Sequence, residues 1–534
     1  MKRAHFLFAA LSFAWGSAVG APLEPVVSRH GDVRLFDPAR PMSTTNPVTV
    51  DSGLPPGASF GVLRKGTLSG GRRSGVENSL LGYFKGQQLF TVGLGDADDR
   101  TPRRVSLHAD FCDVVQDARS VRTPARTWVL TVRSGPDRTC FTGDDVFTAV
   151  RVDTPQDQPG KSPAGLRNLF ANLTATGTIA GLLTIEKNPA GSGPAMVHRS
   201  AGFGSRQLVM PLADTGTFGG SFYRHYKELP AYFYFKLTPA GTSVQQLYRY
   251  DRPGNGLSLV GPLHTFAATG PDESHLSRGT ADLTHFYFQD GRTILRVPHD
   301  ASGPAAVQTL AALDFGLYGM RTNAAMDRVV FDSDYGVQSV LKTGGGLVSL
   351  ATGGYNELVA VGGSGQVYTN VTGYTRPIPV TARQIAADGS SVLDTPNAYF
   401  SGVTMPAAFD YDADFDNAPA SVVRVTLSGG NAVLSLRKAA DGSARRTLGT
   451  VFGVLSLTAF CDQYGGDGFC SIADLIDHSR GHLECHGGAY CAFGALIDRG
   501  DGASDIDAYL FDSRVGASVA PMQVTPGVDD LVGD

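Results

Sequence analysis

One paired motif recurs along this chain: a short run of aromatic and β-branched residues, a turn, and a second such run. It stands at Tyr83 to Val92 around the break Lys85-Gly86, at Trp128 to Val132 with Val146 to Val152, and at Leu182 to Ile185 with Met196 and Val197. It returns at Tyr232 to Leu237 with Leu247 to Tyr250, at Phe286 to Phe288 with Ile294 to Val297 across Asp290-Gly291, and at Val329 to Phe331 with Val337 to Leu341. A further copy pairs Leu358 to Val361 with Val367 to Val371. The first six begin near 83, 128, 182, 232, 286 and 329, about 45 to 55 residues apart, enough for four short strands, three turns and a connector. A lone hairpin cannot bury its apolar face, so such units must stack on one another.

Stacking also answers the size of the chain. With 534 residues it is far longer than one core fills. Its 42% hydrophobic and 18% charged residues exclude a disordered chain and a strongly basic nucleic-acid binder, and a net charge of -5 nominates no partner. Of 50 acidic residues only seven are glutamate, the helix former of the pair; the rest are aspartate, which favours turns and caps. With 66 Gly and 30 Pro this is a turn-rich, helix-poor chain, whose best helix candidate is the short segment Ser471 to His478. The expected fold is all-β, a β-propeller of seven or eight blades with a disulfide-rich loop insertion near the carboxyl end; a series of β-sandwiches is the alternative. The hairpins HFYFQDGRTILRV and RVVFDSDYGVQSVL resemble those of bacterial secreted β-propeller proteins as a broad class. That resemblance implies a fold and no activity, since propellers host many functions. Trp-Asp blade endings and sialidase-type boxes are missing, and there are only two tryptophans.

The start of the chain reads as an export signal: Lys2 and Arg3, an apolar stretch from Phe6 to Trp15, then Ala18, Val19 and Gly20 before a cut after Gly20. Later apolar runs are all interrupted well short of the roughly 18–20 residues a membrane helix needs, so no transmembrane segment is expected. Ala21 follows the cut, where lipid attachment would need cysteine. The product is expected to be a periplasmic or extracellular monomer. The expected divisions are a signal peptide over 1–20, an amino-terminal segment over 21–55, blades over 56–455, a Cys-rich insertion over 456–500, and closing strands with a tail over 501–534.

Six cysteines behind an export signal suit an oxidising compartment: Cys112, Cys140, Cys461, Cys470, Cys485 and Cys491. Cys112 with Cys140 is the economical pairing. The other four allow three arrangements, of which Cys461–Cys470 with Cys485–Cys491 closes short loops. His478, His482 and His486 stand beside Cys485, a zinc-like set of ligand types, but no Cys-x-x-Cys knuckle accompanies them.

Acidic clusters offer a calcium expectation. Asp410, Asp412, Asp414 and Asp416 alternate with Phe409, Tyr411 and Phe415, so on a strand four carboxylates share one face and call for water or a hard cation. Asn417 and Val423 depart from the EF-hand pattern at the turn and closing positions. Asp467, Gly468 and Asp474 supply a turn glycine and a closing acid, with Gln463 and Gly465 in the opening places. Other acidic groups are Asp96, Asp98 and Asp99; Asp144 and Asp145; and Asp501, Asp505 and Asp507.

Catalytic motifs are scarce. Gly-x-Ser-x-Gly, the phosphate-binding Gly-x-x-x-x-Gly-Lys-Ser/Thr and His-Glu-x-x-His do not occur. Tyr223, Arg224, His225 and Tyr226, just before a strong strand, form the nearest acid/base ensemble, of the kind lyases and some hydrolases use. The leading expectation is a binding protein that presents loops, some organised by calcium, to a protein or glycan ligand. The alternative is an extracellular carbohydrate-active enzyme, lyase or hydrolase, with its site in the central funnel. A structural envelope role with no small ligand is the third.

Overall fold

The computed structural model describes residues 24–27, 32–36, 46, 48–53, 60–63, 80–93, 100–104, 111–114, 121–123, 126–134, 136–139, 146–151, 168–173, 179–200, 206–213, 219–223, 232–251, 258–267, 276–353, 355–404, 420–465, 470–479, 484–486, 490–500, 502–512, 522–526 and 530–531. These residues form nine sheets, named here one to nine in chain order, eight of them four-stranded and all antiparallel but for one parallel pairing in sheet nine. Five of the seven recurring hairpins are middle strands; in the other two, one partner is an edge strand, Val146–Arg151 of sheet three and Tyr355–Val361 of sheet eight. Sheet five carries Gly219–Tyr223, Tyr232–Leu237, Gln246–Asp251 and Ser258–Thr265, and sheet six Thr280–Ala281, His285–Asp290, Thr293–Pro298 and Gln308–Ala312. Sheet seven carries Leu317–Arg321, Arg328–Ser333, Gly336–Leu341 and Val348–Ala351. Sheet eight carries Tyr355–Val361, Gln366–Thr372, Val380–Ala386 and Val392–Pro396. This repetition of four-stranded meanders is the construction of the β-propeller class.

Two features lie outside the hairpin pattern. Sheet one is built from Glu24–Val27, Val33–Phe36 and Val48–Asp51, strands too short to signal themselves, and its fourth member is Asp530–Leu531 from the other end of the chain. Sheet nine has eight strands: the meander Ala398–Thr404, Ser421–Ser428, Asn431–Lys438 and Ala444–Phe452 is joined at its first strand, where Thr404 pairs in parallel with Cys485, by a second meander of Glu484–His486, Tyr490–Gly500, Ala503–Asp512 and Met522–Pro526. Two helices, α1 (Leu457–Tyr464) and α2 (Ile472–Ser479), pack Leu457, Phe460, Ile472, Leu475 and Ile476 into the same core as Val423, Leu434, Phe493 and Phe511. No helix among the described residues is long and apolar enough to cross a membrane.

The middle strands are apolar without alternation because both of their faces are covered. In Phe286-Tyr287-Phe288 the two phenylalanines pack with Tyr234 and Leu247 of sheet five, while Tyr287 faces the other way, with Leu317, Val329 and Phe331 of sheet seven. The same division repeats onward: Val330 and Val337 of sheet seven meet Leu358 and Val367 of sheet eight, and Ala360 and Tyr368 of sheet eight meet Phe400 and Val422 of sheet nine. Each of these cores therefore lies between two consecutive sheets.

Polar bonds cross the same junctions at one repeated position. The third residue of the second strand is a fully buried tyrosine in sheets five, six and eight: Tyr234, Tyr287 and Tyr368. For Tyr234 and Tyr368 the group met belongs to the first residue after the third strand of the next sheet; for Tyr287 it is Asp282 of its own sheet, and the residue at that position of the next sheet, Lys342, is reached through Asp282. The Tyr234 hydroxyl meets His299 Nδ1 at 2.7 Å, and the Tyr368 hydroxyl donates to the Ala439 carbonyl at 2.8 Å. Tyr287 donates to Asp282 at 2.7 Å, and Asp282 is in turn ion-paired at 2.7 Å with Lys342, whose ammonium also donates to the Asn323 carbonyl. Sheet seven has Val330 at the tyrosine position, and buried Arg328 of the same strand takes over, its Nε donating to the Ala387 carbonyl at 3.1 Å.

Burial alone would raise the Asp282 carboxyl; Lys342, the Thr284 amide and the Tyr287 hydroxyl together overcome this and hold it well below the ordinary carboxylate range. Burial pushes His299 down to about 4, so it is neutral, with Nε2–H donating to the Asp282 carbonyl at 2.8 Å and Nδ1 accepting from Tyr234. Two outcomes follow. Asp282→Ala strands the buried Lys342 ammonium and should cost about 3–5 kcal/mol in urea unfolding, against about 1 kcal/mol for Tyr287→Phe. The unfolded chain protonates His299 before the folded one does, so stability should fall as pH drops from about 6.5 towards 4, by up to about 3 kcal/mol. His299→Gln should flatten that part of the profile; an unchanged slope would contradict the assignment. Asp282 adds a second loss as pH falls through the carboxylate range.

Candidate functional site

The residues singled out in the sequence lie as follows. Asp410, Asp412, Asp414, Asp416, Asp467, Arg224, His225, Tyr226, Cys140 and His482 fall outside the described residues. Tyr223 ends the first strand of sheet five, its backbone opposite Tyr232. Cys112 lies in the strand Phe111–Val114. Cys485 and Cys491 are direct backbone partners across adjacent strands. Cys461 and Cys470 are joined by a disulfide with a Cα–Cα distance of 5.6 Å, tying α1 to the start of α2. His478 packs its ring on Tyr464 and Phe460, at centroid distances of 4.5 and 5.4 Å. Among the described residues no group of three or more His, Cys, Asp and Glu is placed to hold a metal.

Asp474 serves the helix. Its carboxylate accepts from the Ser471 amide at 2.6 Å and the Ser471 hydroxyl at 2.7 Å, while its own amide donates back to Ser471 Oγ at 3.3 Å. This reciprocal cap starts α2 where the sequence places a helix.

A different group of side chains forms a surface. In a four-stranded meander the start of the first strand and the turn between the second and third lie at the same end of the sheet. At that end of sheets seven and eight the chain places Phe315, Tyr318, Tyr335, Tyr355 and Tyr374. Strand pairing shifts register between Leu317 and Gly319, which leaves Tyr318 as an extra residue turned outward. Its hydroxyl donates to the Asp334 carboxylate, which pushes the phenol up to about 12. Asp334-Tyr335 form the tight turn that follows; the Tyr335 amide donates to Ser333 Oγ at 3.3 Å. Gly336 closes the turn at φ +111°, and a Cβ there would lie 1.9 Å from the Ala351 carbonyl, so no other residue fits. The rings of Phe315 and Tyr335 are 4.6 Å apart, and those of Tyr355 and Tyr374 are 5.4 Å apart, edge to face.

Neighbouring elements fix this rim. Arg278, from the short helix Leu276–Arg278, donates to the Leu317 carbonyl at 2.6 Å. The Ile472 amide at the start of α2 donates to Thr372 Oγ1 at 3.5 Å, two residues before Tyr374. Burial, then Tyr374, Asp474 and Asp334, raise the Tyr355 phenol, so both sheets and the capped helix share one electrostatic neighbourhood. Arg376, in the Tyr374 loop, is ion-paired with Asp462 of α1. Tyr318, Tyr335 and Tyr374 are 57%, 61% and 63% exposed, unusual for large rings grouped together. Sequence reading passed over them because they sit outside the strand-like runs. Each of the five adjoins glycine, as in Asp314-Phe315-Gly316, Tyr318-Gly319, Tyr335-Gly336, Gly354-Tyr355 and Gly373-Tyr374, but so do buried Tyr83 and Phe493, so the adjacency by itself does not mark an exposed ring.

No protein-family model matches the chain. No curated protein matches it either. Among solved structures it is similar to a eukaryotic initiation factor, at 10% identity and TM-score 0.45, over 80% of this chain and 95% of that one. It is also similar to a prolyl endopeptidase (12% identity, TM-score 0.33, 71% of this chain and 55% of that one). A third is dipeptidyl peptidase 4 of Porphyromonas gingivalis (10% identity, TM-score 0.37, 84% of this chain and 64% of that one). Nothing about activity follows from likenesses of this order.

Ser471→Ala, which removes the cap beside the rim, should lower stability by about 1 kcal/mol in urea unfolding; no change would mean that α2 does not depend on this cap.

Proposed function

We propose that this is an exported β-propeller binding protein that takes a protein or glycan ligand on its tyrosine rim. In this reading the nine sheets are blades of one ring, more than the seven or eight expected from the hairpin spacing, closed where Asp530–Leu531 joins Glu24–Val27 in the first blade. Export, to the periplasm or beyond the cell, rests on the charged and apolar start of the sequence. The observation that carries the binding reading is the group of five aromatic rings at one end of two adjacent sheets, three of them more than half exposed. Binding surfaces are enriched in tyrosine because a rigid ring offers a large contact area at small entropic cost. Here the rings are already oriented, by the Asp334 hydrogen bond and by one another.

The test is retention of the protein on immobilised polysaccharides and peptides, with the supernatant assayed for reaction products. A bound, unaltered ligand that is no longer retained by the triple variant Tyr318→Ala/Tyr335→Ala/Tyr374→Ala supports the reading. Product formation, or retention unaffected by the triple variant, contradicts it.

A further inference from the structure

Resting on the binding reading above, we propose that the rim takes a neutral oligosaccharide, stacking the C–H faces of its sugar rings on the tyrosines and phenylalanine of sheets seven and eight.

The character of the apolar surface is the first argument. Among the described residues the large exposed aliphatic side chains lie elsewhere: Val48 in an outer strand of sheet one, Leu283 in the turn between the first and second strands of sheet six, Leu347 just before the fourth strand of sheet seven, and Val392 and Leu393 in the outer strand of sheet eight. Those turns belong to the opposite end of the meander or to its outer edge. The rim itself offers flat rings edged with hydroxyls. A peptide partner buries aliphatic groups against a mixed apolar core, whereas a sugar ring is apolar on its face and polar around its edge, which matches rings of this kind.

Charge is the second argument. The Asp334 carboxylate and the Arg278 guanidinium both act on the Tyr318 phenol, the Asp474 and Asp334 carboxylates act on Tyr355, and Arg376 is already paired with Asp462. Among the described residues no excess of positive charge is gathered at the rim to hold a uronate, sulfate or phosphate, which would call for convergent guanidinium or ammonium groups. An uncharged ligand complements this surface. The planar carboxylates and guanidinium can also bond adjacent sugar hydroxyls.

Preorganisation is the third. Phe315 with Tyr335 and Tyr355 with Tyr374 place one ring pair on each of two consecutive sheets, so a chain of several sugars can meet both without ordering a loop.

Isothermal titration of the full chain with cellohexaose, laminarihexaose, xylohexaose and maltohexaose tests this, beside polygalacturonate, a sulfated heparin oligosaccharide and a proline-rich peptide. At least one neutral hexasaccharide should bind with Kd on the order of 0.1–1 mM. Tyr318→Ala, Tyr335→Ala and Tyr374→Ala should each weaken it about 10-fold with unchanged unfolding midpoints, and Tyr335→Phe should retain most of the affinity. The absence of neutral-sugar binding, a preference for the charged glycans, or sugar binding indifferent to all three substitutions would overturn the proposal. Peptide binding lost in the rim variants would overturn the sugar assignment while supporting the binding reading. Release of shorter oligosaccharides would support the sugar assignment and overturn the non-catalytic reading.

Discussion

The bond that joins the second strand of one sheet to the end of the third strand of the next is the contact on which the rest of this structure depends. Apolar packing between sheets is abundant but non-directional, and it would tolerate sliding of one sheet over another. A tyrosine hydroxyl fully buried between two sheets does not tolerate it, because a slip of one residue leaves the hydroxyl and its acceptor unsatisfied in a dry environment. Tyr234 with His299 and Tyr368 with Ala439 fix two junctions in this way, and between sheets six and seven the crossing is made by the ion pair of Lys342 with Asp282, the carboxylate that also accepts from Tyr287. Arg328 fixes a fourth through the Ala387 carbonyl. At the amino end Tyr83 and Lys85 of the second sheet bond Asp51 of the first, at 2.5 and 2.6 Å. The recurring unit is thus a sheet together with half of each junction that flanks it.

The rim inherits its geometry from this register. Tyr335 stands in a turn whose glycine admits no side chain, and Tyr318 is displaced outward by the irregular pairing of the same sheet. Tyr355 and Tyr374 come from the next sheet, so the relative placement of the two ring pairs is set by the junction between sheets seven and eight. That junction holds Val330, Val337, Leu358 and Val367 in one core and carries the Arg328 bond. A binding surface composed across two modules needs such a junction to be stiff, and burial of both apolar and polar groups makes it so.

Much of the fold was legible. Runs such as Phe286 to Phe288 are apolar throughout because sheets cover both faces, and their spacing reveals a repeat without saying how the copies meet. The α2 helix was readable from Ser471 and the apolar positions after it, whereas α1 was not: its buried face is only Leu457, Phe460 and Cys461, and Ser456 is its one clear signal, capping the Ala459 amide. The first sheet was hidden by strands of four residues and by a partner strand some five hundred positions away. The junction bonds could not be read because half of their acceptors are backbone carbonyls, which every residue possesses. For the candidate site the sequence drew attention to charged clusters, and most of those lie outside the described residues. The rim aromatics stand in turns or at the first residues of edge strands, where periodicity carries no information, and their adjacency to glycine is shared by buried Tyr83 and Phe493.

Native-state hydrogen exchange of Asp282→Asn, which removes the ion pair with Lys342 of sheet seven, beside the unaltered chain tests the central claim most directly. If the junction bond couples neighbouring sheets, exchange should accelerate in His285–Pro298 and, to a comparable degree, in Leu317–Leu341 of the following sheet, while the strands of sheet nine keep their protection. Acceleration confined to sheet six would mean that each sheet stands on its own packing, and would contradict the account.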